Sequence, residues 1–312
     1  MQTLINYYSF LKGMELVFLG TSCMVPTKER NVQGIFLSYK NEGILIDCGE
    51  GTQRQMNIAG INRNKVTKIL ISHWHGDHVA GLIGLIQTMG NTDNPSTLEV
   101  YGPKGTKEKM NHILNTCDFD LRIDLQIFEL DPKSVEVFID KKDYQIECAY
   151  LDHTTPCLGY SFVEKDRRKI NLSKIKSLGI PEGPVLGKIQ EGKSIVLNGK
   201  KISPNDVSRV EKGKKITFIL DSVLCENCYS LSENADILIS EACYLPDLQE
   251  KADFYKHMTT KQAALIASKS GVKKLILTHF SQRYKTVEKL EKDAKDYFED
   301  SICAYDFMKI KL

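Results

Sequence analysis

The chain of 312 residues has one tryptophan, nine prolines and no apolar run near the roughly 20 residues that a membrane-spanning helix needs. It also lacks internal repeats and low-complexity tracts, which excludes solenoid and fibrous designs. Net charge is almost absent: 42 Lys and Arg against 40 Asp and Glu leave +2, so bulk charge points to neither nucleic acid nor membrane. The N-terminus lacks the basic, apolar and small-residue regions of a secretory signal, and the nine cysteines are odd in number and scattered. Reduced thiols in a cytoplasmic protein are therefore expected. A hydrophobic content of 42% and a charged content of 26% match an ordinary globular protein. This length buries a large core without disulfides. Met1 to Gly13 shows no clear period and reads as an appended leader before a better strand at Met14.

Short β-branched runs alternate with amphipathic stretches. Strands are expected at Glu15–Leu19, Ile35–Tyr39, Gly43–Asp47, Lys68–Ser72, Leu98–Tyr101, Leu125–Leu130 and Tyr144–Leu151, and later at Lys215–Leu220, Ile237–Ser240 and Lys274–Thr278. Helices are expected at Thr52–Ala59, Val79–Met89, Lys104–Asn115, Thr259–Ser270 and Thr286–Phe298. Strands in runs with helices between them predict an α/β protein with two sheets covered by helices.

Residues 164–206 break this rhythm. Gly179-Ile-Pro-Glu-Gly-Pro184 and Gly187 are turn chemistry, and Val196-Leu-Asn-Gly-Lys200 predicts a hairpin on an Asn-Gly turn. Between Glu164 and Lys215 there are 14 Lys and Arg against 6 Asp and Glu, a balance of +8 that leaves −6 for the rest. A basic, apolar-poor segment on an acidic body predicts a projecting arm that meets a polyanion.

His73-Trp-His75-Gly-Asp77-His78 sets three imidazoles and a carboxylate within six residues, directly after a strand. In extended chain His73 and His75 point the same way, while Asp77 and His78 cross into a helix start. One metal takes three or four ligands, and two metals sharing this cluster need more from elsewhere. His153, Asp221 and His279 each stand where a loop leaves an expected strand, so they are the candidates. The competing reading makes Asp77 a helix cap and the histidines satisfied polar groups. His112 reads as an ordinary helix residue. Cys225-Glu-Asn-Cys228 without a second pair is a weak metal signal and reads as two reduced loop thiols. Tyr160 and Phe162 could stack bases, although core packing is the default for single aromatics.

With these motifs the chain resembles the metallo-β-lactamase superfamily and, within it, the ribonuclease Z family. The resemblance runs from about Met14 to the C-terminus. It rests on Leu19-Gly-Thr-Ser22, Pro26 with Arg30-Asn31, Asp47-Cys-Gly-Glu-Gly-Thr-Gln-Arg54, the histidine cluster with Gly81-Leu82, His153 with Gly159-Tyr160, the Gly-Pro arm with Gly187-Lys188, Asp236-Ile-Leu-Ile-Ser-Glu241-Ala242, His257-Met-Thr-Thr260 and His279-Phe-Ser-Gln-Arg-Tyr284. The chain departs from the family at Leu220-Asp-Ser222, where Gly-Asp-Thr is usual.

The resemblance implies an αββα sandwich, 1–312 as one domain, with the basic arm inserted at 164–206. It implies two Zn2+ per subunit, one on His73, His75 and His153 and one on Asp77, His78 and His279, with Asp221 bridging. An all-nitrogen-and-oxygen shell also tolerates Mn2+, Fe2+ or Co2+. Two such ions attract a phosphodiester and activate a water for attack on phosphorus, Asp77 doubling as its orienter or base. Glu241 and His257 are implied as a pair that protonates the leaving oxygen. The implied substrate is precursor tRNA, cut near the discriminator to leave a 3′-hydroxyl, by a homodimer without membrane contact. Lys165, Arg167, Arg168, Lys169, Lys174, Lys176, Lys188 and Lys193 are expected on backbone phosphates, and Arg30 and Asn31 beside the cut. A small-molecule hydrolase of the same superfamily, or a non-catalytic tRNA-binding protein, stands as the alternative.

Overall fold

The computed structural model describes residues 13–91 and 97–312, so the expected leader lies outside the described residues except for Gly13. In chain order the strands are β1 (Met14–Gly20), β2 (Gly34–Tyr39), β3 (Glu42–Ile46), β4 (Lys68–Leu70), β5 (Thr97–Pro103), β6 (Asp124–Leu130), β7 (Glu136–Asp140), β8 (Tyr144–Leu151), β9 (Cys157–Glu164), β10 (Arg167–Ile170), β11 (Ile195–Leu197), β12 (Lys200–Ile202), β13 (Ser208–Glu211), β14 (Lys215–Ile219), β15 (Ile237–Glu241), β16 (Leu275–Thr278), β17 (Ser301–Cys303) and β18 (Lys309–Lys311). One seven-stranded sheet has the order β18-β1-β2-β3-β4-β5-β6 and the other β17-β16-β15-β14-β9-β8-β7.

Away from the exposed edge strands β6, β7 and β18, both faces of each sheet are buried, which is why the inner strands read as continuous apolar runs. On β1, Leu16 and Phe18 point between the sheets, while Val17 and Leu19 point to the helices Thr52–Ala59 and Leu82–Met89. On β15, Ile237 and Ile239 join the same inter-sheet core, whereas Leu238 packs with Leu231, Ala263 and Leu290 from the helices beyond. Helix, sheet, sheet and helix thus stack as four layers, the expected αββα sandwich. Each such aliphatic side chain stabilises the stack by roughly 1.5–3 kcal/mol on leaving water.

The expected helix Val79–Met89 is two pieces, Gly76–Val79 and Leu82–Met89. The break lets the loop after β3 pack against it: Cys48 N donates to His78 O at 2.8 Å and Gly81 N to Cys48 O at 2.9 Å. A Cβ at Gly81 would lie 2.2 Å from Gly49 O, and one at Gly49 would lie 2.1 Å from Asp77 O. Only glycine permits this approach at either position.

β14, β15 and β16 are parallel, so their C-terminal ends share one edge of the sandwich. The loop after β4 reaches that edge because Tyr160 Oη donates to Ile71 O at 2.7 Å and Leu158 N to Ser72 O at 2.8 Å, tying the sheets together. The basic excursion leaves β9 at Glu164 and returns into β14. Its stalk is the β10–β13 pair, so it closes at Glu211 rather than Asp206. The β11–β12 hairpin turns on Asn198 and Gly199 with φ of 48° and 77°, as the Asn-Gly pair predicts. Apolar-poor as it reads in sequence, the arm gathers Ile175, Ile180, Ile189, Ile195 and Val207 into a small core of its own.

Candidate metal centre

The residues nominated for metal come together at the shared edge. His73, His75, His153 and Asp221 offer donor atoms within 4.8 Å of one another, and Asp77, His78 and His279 form a second such group. In the first, His73 Nε2 lies 2.9 Å from His75 Nδ1, and His153 Nε2 lies 3.3 Å from the same atom. In the second, His78 Nε2 and His279 Nε2 are 3.2 Å apart, with Asp77 Oδ2 at 3.6 and 3.5 Å. Asp221 stands between them: its Oδ2 is 3.6 Å from His73 Nε2 and 3.8 Å from His153 Nε2, and its Oδ1 is 3.4 Å from His78 Nε2.

The other ring nitrogens are held from outside, which fixes each imidazole's direction. Asp47 Oδ2 takes His78 Nδ1 at 2.6 Å and the Ser72 hydroxyl at 2.7 Å, and that hydroxyl sits 3.0 Å from His73 Nδ1. His153 Nδ1 meets Lys256 O at 2.9 Å, whereas His279 Nδ1 stands 3.2 Å from both Cys243 Sγ and Asp221 Oδ1. Asp47, with φ of 57° and no exposure, was not singled out from sequence. An acidic residue directly after an apolar strand was the available signal.

The donor set fits a divalent cation. Asp221 is 2% exposed, yet its Oδ1 has no hydrogen-bond partner among the described residues. Burial opposes its charge, but the surrounding His279, His78 and His73 hold its carboxyl well below the usual range. His73 is driven the other way: burial and then the neighbouring His78 keep it neutral. Neutral imidazoles and ionised carboxylates are the forms that bind metal; His78 and His279, where burial opposes the charge but Asp221 outweighs it and raises both imidazoles, have to release a proton to bind one.

Glu241 is fully buried and accepts from Ser222 N at 2.6 Å, Met258 N at 3.1 Å and His257 Nδ1 at 3.1 Å. Thr259 and Gln262 form a capping box on the helix Thr260–Lys269, which leaves His257 in the extended turn before it. Burial works against the imidazolium of His257, but Glu241 and then Asp221 raise it to about 9.

His75, Asp77, His153, Asp221 and His257 floor a cavity of about 970 Å3 lined by Met24, Tyr244, Lys251, Tyr255, Arg283 and Lys285, among others. None of these six was nominated from sequence, because they are scattered along the chain and only the fold gathers them. Tyr160 and Phe162 are core residues, 1% and 2% exposed, and face no ligand.

The expected RNA contacts divide. Arg30 is only 9% exposed and donates to Tyr284 O at 2.7 Å and Ser281 O at 3.4 Å. Asn31 donates through its side chain to Glu50 O at 2.8 Å and through its backbone to Asp306 Oδ2 at 2.7 Å. Both brace the loops around the cavity instead of facing it. In and beside the arm, Lys165 pairs with Asp140, Arg167 and Lys169 with Glu211, Arg168 with Asn205, and Lys193 with Glu191. Lys174, Lys176 and Lys188 make no ion pair among the described residues, nor do Lys200 and Lys201. His112 is an exposed helix residue.

A family described as "Anti-Pycsar protein Apyc1" matches residues 14–167. Ribonuclease Z of Methanothermobacter thermautotrophicus is 38% identical over 96% of this chain and 97% of its own length. Ribonuclease Z of Thermococcus kodakarensis is 42% identical over 93% of the chain and 88% of its own. Among solved structures, the short form of human tRNase Z has a TM-score of 0.71 at 27% identity, covering 95% of this chain and 98% of that one. The metallo-β-lactamase-fold protein YhfI of Bacillus subtilis has a TM-score of 0.68 at 18% identity over 96% and 99%, a likeness of fold. With near-complete coverage at these identities, the chain belongs to the ribonuclease Z family.

Proposed function

We propose that the protein is a metal-dependent endoribonuclease that removes the 3′ trailer of precursor tRNA, leaving a 3′-hydroxyl on the tRNA and a 5′-phosphate on the trailer. The observation that carries this is the pair of donor groups meeting at Asp221 on the floor of an open, cation-rimmed cavity, in a chain of the ribonuclease Z family. His73, His75 and His153 would hold one divalent ion and Asp77, His78 and His279 a second, with Asp221 placed between the two groups. Zn2+ suits the all-nitrogen-and-oxygen set, and Mn2+, Fe2+ or Co2+ can replace it. Bound metal supplies Lewis acidity toward the phosphodiester and activation of the attacking water.

The chain's own groups do the rest. Asp77 orients the water and Glu241 holds the His257 imidazole by Nδ1, so that its other nitrogen donates a proton to the departing 3′-oxygen. Lys251, Arg283 and Lys285 neutralise phosphates around the cut, and Tyr244 and Tyr255 offer faces to the terminal bases. Lys174, Lys176, Lys188, Lys200 and Lys201 meet the tRNA backbone farther off.

The arm leaves β9 and β14 at the ends remote from the metal groups. The eight residues of β9 put about 23 Å between them. This supports a homodimer in which one subunit's arm grips the tRNA that the other cuts. The reading is of one catalytic body with an inserted arm. No helix among the described residues is long and apolar enough to cross a membrane, and the nine free cysteines suit a reducing cytoplasm.

The deciding experiment incubates zinc-loaded protein with a precursor tRNA carrying a 3′ trailer, and in parallel with bis(p-nitrophenyl) phosphate, and maps the cut and its end groups. One cut near the discriminator with a 3′-hydroxyl product is expected. Hydrolysis of the small diester beside an intact precursor would move the function to small-molecule hydrolysis.

A further inference from the structure

The pair Cys225 and Cys228 stands outside the metal groups and has no part in the proposed reaction. Their sulfurs are 3.5 Å apart, on the first turn of the helix Glu226–Ser232. No third His, Cys, Asp or Glu among the described residues joins them in a metal-sized group, so a zinc site is not what they build. Disulfide formation needs the sulfurs to close to about 2.05 Å, an approach of about 1.5 Å that side-chain rotation and a small loop shift can supply. Cys225 is partly open to solvent and Cys228 is buried. One thiol is therefore reachable and the other is positioned to resolve.

We propose that Cys225 and Cys228 are a reversible modification site for thiol–disulfide exchange with a low-molecular-weight disulfide, and that oxidation displaces the loop carrying Asp221. The Cys225 thiolate attacks one sulfur of the disulfide RSSR, forming a mixed disulfide and releasing one RS−. The Cys228 thiol then attacks Cys225, closing the internal disulfide and releasing the second thiol. The protein loses two electrons and two protons, and two molecules of RSH carry them away. The hydrogen bond from Cys228 outweighs burial and brings the Cys225 thiol down to about 6, so the attacking form is present at neutral pH.

The two cysteines are coupled to the site through a short, bonded segment. Asp221 is followed by Ser222, whose N donates to Glu241 at 2.6 Å and whose hydroxyl donates to Val223 O at 2.6 Å. Val223 N donates to Asp152 O at 3.0 Å, next to His153. Asn227 Nδ2 anchors the helix start on Tyr150 O at 2.8 Å. With the helix pinned, closure moves Cys225 and with it the four-residue step back to Asp221. Displacing a reacting group by about 1 Å can lower a rate by roughly 10²-fold.

The test treats zinc-loaded protein in a Cys117→Ser background, which removes the exposed thiol, with excess glutathione disulfide, followed by alkylation and peptide mass mapping. The expected product is a Cys225–Cys228 disulfide. In Cys228→Ser the same treatment should leave a stable glutathione adduct on Cys225, and in Cys225→Ser neither an adduct nor a disulfide at Cys228. Hydrolysis of bis(p-nitrophenyl) phosphate should fall on oxidation, return with dithiothreitol, and stay unaffected in Cys225→Ser, which carries no modification at this site. Cys23 and Cys243 are another neighbouring thiol pair; a disulfide between them in place of Cys225–Cys228, or no oxidation of the folded protein, overturns the site. An oxidised pair with an unchanged rate overturns its coupling to Asp221.

Discussion

Replacing His257 by Ala separates the two phosphodiester substrates by their leaving groups. Glu241 keeps the N–H groups of Ser222 and Met258 at 2.6 and 3.1 Å, so the substitution strands no buried carboxylate. None of the residues nominated as metal ligands is removed, and metal content should persist. A ribose oxygen leaves poorly as an alkoxide and needs a proton, whereas p-nitrophenolate departs as a stable anion. A positioned acid supplies ~10²–10⁴-fold, which is about 3–5 kcal/mol of barrier. Single-turnover cleavage of precursor tRNA should therefore fall by ~10²–10⁴-fold, while hydrolysis of bis(p-nitrophenyl) phosphate by the same preparation changes little. Equal losses on the two substrates would refute the reasoning, since they would put His257 in metal or substrate binding and not in proton transfer.

Zinc should stabilise the chelator-treated protein by about 3–4 kcal/mol at a free concentration of 100–1,000 times its Kd, and Asp221→Ala should abolish most of that gain in urea unfolding with and without zinc. Changing Lys174, Lys176, Lys188, Lys200 and Lys201 to Ala should lower the slope of log tRNA affinity against log salt by about 0.7–0.9 for each lysine on a phosphate; a constant slope removes the arm from tRNA binding. Burial raises the Asp306 carboxyl from 3.8 to about 6 despite donors from Asn31 and Thr21. Because the folded value lies above the unfolded one, ionisation costs stability as pH rises from about 4 to 6 and no further. Asp306→Asn should gain up to about 3 kcal/mol on wild type across that window, and a pH-independent difference in unfolding midpoints would contradict it.

The sequence carried a large part of this. Histidines and acids crowded after an apolar run announce ligands, because few other uses place three imidazoles within six residues. Continuous apolar strands such as β1 and β15 declare themselves because both faces find apolar partners. Turn chemistry is equally local, and Asn198-Gly199 forms its hairpin as read. β17 and β18, three residues each, carry too short a pattern to be seen. The helix Glu226–Ser232 went unread for the same reason: seven mostly polar residues have little period to display.

What only the tertiary structure decided is where charge ends up. Arg30 reads as a ligand for phosphate and is instead a buried donor to Tyr284 and Ser281, more than 250 positions away. Lys165 and Lys193 read like Lys174 and Lys188, yet the first two already have acidic partners. Asp47 reads as the end of a strand and proves to orient His78 and, through Ser72, His73. Residue type and spacing determine which groups a chain brings to its chemistry, because those are local properties. Partnership depends on contacts between segments far apart in the chain, and those exist only once the two sheets have closed on their core.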